Sequence, residues 1–209
     1  MDSDKFLTIA APSKGLFKDR KSRFVGLAFP VSNEDDVKEI LKKIKKEYYD
    51  AAHHCYAFVI GAKRNIFRSN DDGEPAGGAT ILGQINSRQL TNILVIVVRY
   101  YGGVKLGVPG LINAFRTATS DALNNAEIIS EFEKTKLEIH FQYLQMNPVM
   151  GILKEDGVEI VEQKFEQDCL IKVFVRTSIL ERIMKSLEKI EAVKIKTHEI
   201  KNGISERTV

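Results

Sequence analysis

Cysteine is scarce in this chain of 209 residues, and Cys55 and Cys169 alone supply neither a disulfide framework nor a metal quartet. Lying far apart, they read as two buried thiols. No apolar run approaches the roughly 18 residues that a membrane helix needs. The opening Met1-Asp2-Ser3-Asp4-Lys5 also lacks the basic region and apolar core of a signal peptide. A cytoplasmic chain with no membrane contact is the expectation. Neither sign of charge dominates, since 31 Lys and Arg face 28 Asp and Glu for a net +3. A pI near 8.7 admits a nucleic-acid partner but does not require one. Repeats and low-complexity segments are absent, as are the phosphate-binding loop ending in Lys-Ser/Thr and the G-x-G-x-x-G pattern. No cofactor and no metal are therefore expected. Hydrophobic content of 44% and charged content of 28% are ordinary for a folded globular chain.

What the sequence does have is concentrated between Asn92 and Phe115. Ile93 to Val98 is an unbroken, largely β-branched apolar run, which reads as a central strand buried on both faces. Arg99, Tyr100 and Tyr101 close it, and Gly102, Gly103, Gly107 and Gly110 follow. From Leu111 the apolar positions Ala114, Phe115, Ala118 and Ala122 step three or four apart, so a helix is predicted where the glycines stop. Strand, glycine loop and helix N-terminus together make an anion site, with Arg99 and Lys105 adding full charges.

The remaining elements follow from periodicity and punctuation. Residues 1–14 read as a loosely held terminus. Lys21 to Val31 reads as a strand, followed by a helix from a Ser32-x-x-Asp35 box to Asp50, with a solvated lysine-rich face. His53 to Gly61 and Asn65 to Ser69 read as strands, and residues 78–90 as a short helix on Ile81, Leu82 and Ile85. After Asn125 the composition shifts to alternating charged and apolar residues. Glu133 to Phe141 is a strand, Asn147 caps a helix, and Val158 to Phe165 with Cys169 to Val175 form a hairpin. Ser178-x-x-Glu181 then opens a helix, and Ala192 to Ile200 is a last strand. That order, β-α-β-β-α-β, is the ferredoxin-like arrangement. An α+β chain of two domains is predicted, 15–130 and 131–209.

Three constellations are candidate sites. Asp71, Asp72 and Glu74 in Asp71-Asp72-Gly73-Glu74 offer carboxylates for a divalent cation or for acid–base work. The competing reading is an Asx-type turn whose carboxylates cap backbone N–H groups or pair with Arg64, Arg68 or Arg99. On a strand, His53 and Cys55 share a face while His54 does not, so the trio cannot chelate, and no third residue orients a Cys–His pair. Tyr100 and Tyr101 beside Arg99 and Lys105 can stack bases or a phosphorylated ligand, or can simply pack the strand's end.

The run Val97-Val98-Arg99-Tyr100-Tyr101-Gly102-Gly103-Val104-Lys105-Leu106-Gly107, with Gly110-Leu111 behind it, resembles the signature of the IMPACT/YigZ family. Ala51-Ala52-His53-His54-Cys55-Tyr56-Ala57 and Asp71-Asp72-Gly73-Glu74-Pro75 match that family in the same order. Two stretches depart from it. Ala76-Gly77-Gly78-Ala79-Thr80 stands where the family has Ser-Gly-Thr-Ala-Gly, and Asn113-Ala114-Phe115 where it has Arg-Ala-Tyr. The resemblance implies a two-domain bacterial member. Its first domain would be an α/β sandwich like the second domain of small-subunit ribosomal protein S-five, with a left-handed β-α-β crossover. Its second would be like the last domain of elongation factor G. Eukaryotic members compete for a ribosome-associated activator of a stress kinase, so the resemblance implies a non-catalytic, translation-associated regulator. RNA, the ribosome or a translation-linked protein factor is the implied partner, and no oligomeric state follows. Two alternatives stay open: a small hydrolase or phosphate-ester enzyme using the acidic loop, His53 and the glycine loop, and a pure protein-interaction module.

Overall fold

The computed structural model describes residues 4–166 and 168–198. Contacts divide the chain into two compact units, one of residues 6–131 and one of residues 132–198 together with residues 4–5.

The first unit is a five-stranded antiparallel sheet in the order β2-β3-β6-β4-β5, formed by Ser13–Asp19, Ser22–Pro30, Ile93–Tyr100, His53–Ile60 and Ile66–Asn70. β6 is central, and Ile93 to Val98 are all 0% exposed. The alternation of a strand explains how both faces are covered. Ile93, Val95 and Val97 pack with α2 (Gly77–Ser87) and α3 (Gly107–Asn124), whereas Leu94, Ile96 and Val98 pack with α1 (Glu34–Glu47). β3 and β4 both run antiparallel to β6, so β3-α1-β4 is a crossover between parallel strands with β6 between them.

Several boundaries differ from the sequence reading, each for a local reason. The terminus read as loose contains β1 (Lys5–Ile9), paired with β7 (Ile128–Phe132), and Ile9 is fully buried. Neither short strand has enough alternation to declare itself, and each exists because the other is there to pair with. α1 is capped by Asn33 rather than Ser32. The Asn33 side-chain Oδ1 accepts the N–H groups of Asp35 at 2.8 Å and Asp36 at 2.9 Å, and the Asp36 carboxylate accepts back from the N–H groups of Asn33 and Ser32. α3 starts at Gly107, so Gly107 and Gly110 belong to its first turn and not to the preceding loop.

The second unit is a four-stranded sheet in the order β11-β8-β10-β9, from Lys194–His198, Lys134–Gln142, Asp168–Arg176 and Val158–Lys164. α4 (Met146–Leu153) and α5 (Thr177–Glu188) supply the β-α-β-β-α-β order, and the domain is ferredoxin-like. Its core is one face of the sheet, Leu137, Ile139, Phe141, Ile171, Val173 and Val175, against Val149, Leu153, Ile183 and Leu187. α4 follows a 3-10 turn at Tyr143–Gln145, so Asn147 lies inside the helix and caps nothing. The predicted last strand extends to Ile200, and its final two residues lie outside the described ones.

α5 has no side-chain cap of its own, and Ser178 does not open it. The cap comes from the other end of the chain: the Asp4 carboxylate accepts from Ser178 N at 3.0 Å and from Arg176 Nη2 at 3.0 Å. Burial acts to raise the Asp4 pKa, but the bonds from Arg176 and Ser178 overrule it and hold the carboxyl down at about 2, against an ordinary 3.8. A folded-state pKa below the unfolded one stabilises above the unfolded value, and the effect disappears as pH falls through the folded value. Asp4→Asn should therefore lower stability by about 2 kcal/mol above pH about 4. Urea unfolding should show the difference shrinking as pH approaches 2, and a gap independent of pH would contradict this assignment.

Candidate functional site

The site begins with strand register. Arg99 stands opposite His53 of β4 on one side and Phe24 of β3 on the other, and its parity puts it on the face covered by α2 and α3. The loop between β5 and α2 folds back over that position and delivers Glu74. Glu74 Oε1 accepts from Arg99 Nη1 and faces His53 Nε2 at 2.9 Å. Glu74 and Arg99 are 6% and 5% exposed. The pair is thus a buried ion pair, with the guanidinium also 5.5 Å from the Phe24 ring and 5.4 Å from the Tyr101 ring.

The other two carboxylates of the acidic loop hold backbone. Asp71 Oδ1 accepts from Gly78 N at 2.6 Å, which ties the loop to the first turn of α2. Asp72 Oδ2 accepts from His54 N at 2.7 Å, and Asn70 Oδ1 accepts from Asp72 N at 2.9 Å. Asp72 at φ 46° and Gly73 at φ 83° make the left-handed bend that this wiring needs. Among the described residues no group of three or more His, Cys, Asp or Glu is placed to hold a metal ion.

His53 works as part of the clamp. Its Nδ1 faces the Asp72 carbonyl at 2.8 Å and its Nε2 faces Glu74, so neither ring nitrogen is left aimed at a substrate. Cys55 is fully buried, and its thiol donates to the Asp71 carbonyl at 2.9 Å. Burial first, and then the charges of Asp72, Glu74 and Asp71, push the thiol pKa far up and keep it protonated. That is the opposite of what a nucleophilic cysteine needs. On the other face of β4, burial lowers the pKa of His54, whose Nε2 faces the Tyr48 carbonyl.

His53, Glu74, Arg99, Tyr101, Lys105 and Gly107 line one cavity of about 550 Å³, completed by the apolar side chains of Pro75, Leu106, Val108 and Leu111. Tyr101 is half-exposed, and Lys105 is exposed with no ion pair among the described residues. The other candidate residues are elsewhere or serve the chain itself. Tyr100 points to the opposite face, donates to Asp50 Oδ1 at 3.0 Å and lies under Arg23. Arg64 bonds Asn86 beside a separate cavity. Gly102 is required by packing: a Cβ there would lie 2.2 Å from the Lys21 carbonyl carbon, so the loop locks onto the β2–β3 turn. Gly103 is a left-handed turn residue with open space around it. Of the two readings of Arg99, a cation for an anionic ligand or a partner of the acidic loop, the structure shows the second, with Arg99 bonded to Glu74. None of Ala76, Gly78, Thr80 and Asn113, where the chain departs from the IMPACT/YigZ pattern, lines the cavity.

Sequence reading passed over the β2–β3 turn. Arg20 and Lys21, at φ 43° and 66°, are its two central residues, with Asp19 and Ser22 paired on either side. Both are exposed, and the signal was present as the basic stretch Lys18-Asp19-Arg20-Lys21-Ser22-Arg23.

The fold and site define a two-domain α+β protein: a sheet covered by helices on both faces, with a clamped cavity at the end of its central strand, and a ferredoxin-like domain. Residues 20–123 match the Impact N-terminal domain model. The chain is 32% identical over 157 residues to the IMPACT family member YvyE of Bacillus subtilis, covering 74% of this chain and 72% of that protein. It is 37% identical over 94 residues to Protein IMPACT of Rattus norvegicus, covering 43% of this chain and 30% of that one. A solved crystal structure described as that of a hypothetical protein superposes with a TM-score of 0.69 at 25% identity, over 97% of this chain and 98% of its own. The chain belongs to the IMPACT family.

Removing one member of a buried ion pair strands the other, at a cost of about 3–5 kcal/mol. Arg99→Met should lose about that much in urea unfolding, and Arg99→Met combined with Glu74→Leu should recover most of it. Equal losses in the single and double variants would show that the pair is not what holds the loop.

Proposed function

We propose that this is a non-catalytic, translation-associated cytoplasmic protein that binds RNA of the translation machinery, with its contact surface at the end of β6 and the adjoining β2–β3 turn. The observation that carries the reading is the turn itself. A two-residue hairpin turn with positive φ at both positions favours Asn-Gly, and here it holds Arg20 and Lys21. Non-glycine residues in that region carry a strain of order 1 kcal/mol or more each, and such strain is a reason to look for function. Neither side chain has an ion-pair partner among the described residues.

Gly102 brings that turn directly against the loop bearing Tyr101 and Lys105. The result is an exposed aromatic ring, 51% accessible, on a loop beside three cations that have no ion pair among the described residues. Aromatic faces with positive charge beside them suit single-stranded RNA, where bases stack and phosphates meet the cations. IMPACT-family membership supports a translation-linked partner. The non-catalytic part rests on His53 having both nitrogens engaged, Cys55 being held as a thiol, and Asp71 and Asp72 being spent on backbone.

Binding to ribosomes or single-stranded RNA should weaken as salt rises, by about 0.7 in log–log slope per phosphate contact. The triple variant Arg20→Ala, Lys21→Ala, Lys105→Ala should flatten that slope by about 2, and Tyr101→Ala should cost about 1–3 kcal/mol of affinity. Fluorescence anisotropy across a salt series measures both. Salt-independent binding would point to a protein partner, and unchanged affinity in the folded triple variant would refute this surface.

A further inference from the structure

The bonds around His53 fix its charge. Its Nδ1 lies 2.8 Å from the Asp72 carbonyl, and its Nε2 lies 2.9 Å from Glu74 Oε1. Both oxygens can only accept, one being a backbone carbonyl and the other a carboxylate oxygen that already takes a hydrogen from Arg99. A neutral imidazole carries hydrogen on one nitrogen, so it would satisfy one of these oxygens and set a lone pair against the other. The imidazolium donates to both. Turning the ring over would bring carbons to both oxygens, so a flipped ring offers no alternative. The closed clamp therefore holds a proton that a neutral ring lacks.

The surroundings leave nothing to replace that proton. Glu74 has Arg99 and His53 as its partners, and its buried Oε2 has no hydrogen bond. Asp71 and Asp72, the other carboxylates of the loop, are taken by the N–H groups of Gly78 and His54. On β4 itself, the Cys55 thiol stays protonated, and the His54 ring faces the Tyr48 carbonyl. Arg99 comes from β6, and Tyr101 and Lys105 share the cavity wall with His53. The first turns of α2 and α3 carry no acidic residue. The His53 side chain is 30% exposed where Glu74 is 8% exposed, so water can reach the ring and exchange its proton.

We propose that His53 is a proton-operated latch: as the imidazolium it ties the 70–78 loop to the end of β4 through Asp72 and Glu74, and as the neutral ring it loosens that loop. Both acceptors belong to the same loop, so whichever hydrogen leaves, the loop loses one of its two ties. Glu74 and Pro75 line the cavity, so the latch governs one of its walls. The sign follows from proton counting. The closed loop binds one proton more than the loosened loop, so closure is favoured on the acid side of the His53 titration and weakened on the alkaline side. Imidazoles ordinarily change charge between about pH 5 and 8, where a thiol held protonated takes no part. The latch is independent of the RNA reading.

NMR on the full chain from about pH 5 to 8 tests the latch by following the His53 ring nitrogens and amide exchange together. The Glu74 and Gly77 amides, which donate to the Asp71 and Glu74 carbonyls, report on the loop, and those of Ile93 to Val98 report on the sheet. At the acid end both ring nitrogens should carry hydrogen. As one loses it, the two loop amides should exchange about fivefold faster or more beyond the intrinsic effect of pH, while the sheet amides keep their protection. His53→Gln, neutral throughout, should show no such step. The titration of the native chain decides the question even where that variant fails to fold. A neutral ring under a closed loop, loop protection that ignores the His53 titration, or the same step in folded His53→Gln would overturn the proposal.

Discussion

Glu74 accepting from Arg99 is the interaction on which the first domain's functional end depends. A loop carrying Asp71, Asp72 and Glu74 in sequence would repel itself and drift into solvent. Instead Glu74 is drawn into the sheet's end by a guanidinium it neutralises, with His53 as a second partner. Asp71 and Asp72 then fasten the loop to α2 and β4 through backbone N–H groups. Buried ion pairs are weak evidence of stability, because desolvation offsets much of the attraction. What this one supplies is position. It fixes where the loop lies, and with it the floor of the cavity.

That clamp divides the cations into two kinds. Arg99 is buried and compensated, so it shapes a pocket. Arg20, Lys21 and Lys105 are exposed and, among the described residues, have no ion pair, so they set the potential that a polyanion would meet. The glycines serve the same geometry. Gly102 lets the basic turn and the aromatic loop touch, and Gly107 turns the chain into α3.

Much of the fold was legible because its signals are local and periodic. The run Ile93 to Val98 announced a doubly covered strand, and the β-α-β-β-α-β order followed from alternation in strands and three-or-four spacing in helices. β1 and β7 were not legible, since their pairing spans about the length of the whole first domain. The cap of α5 was hidden for the same reason: Asp4 and Ser178 are 174 residues apart. At the site, His53, Glu74, Arg99, Tyr101 and Lys105 could be singled out as chemistry-bearing residues, and pairing of the acidic loop with Arg99 was one open reading, but which arginine and which carboxylate would meet was not legible. Parity along β6 separated Tyr100 from Tyr101, and a side-chain bond across the sheet's end turned Arg99 from a free charge into a paired one.

Hydrogen exchange on Glu74→Gln tests most directly whether one carboxylate holds this end of the molecule together. If it does, amides of residues 70–78 and 101–108 should exchange much faster than in the wild type, while those of β8 and β10 in the ferredoxin-like domain stay unchanged. Identical protection of both loop segments in the two proteins would contradict the account.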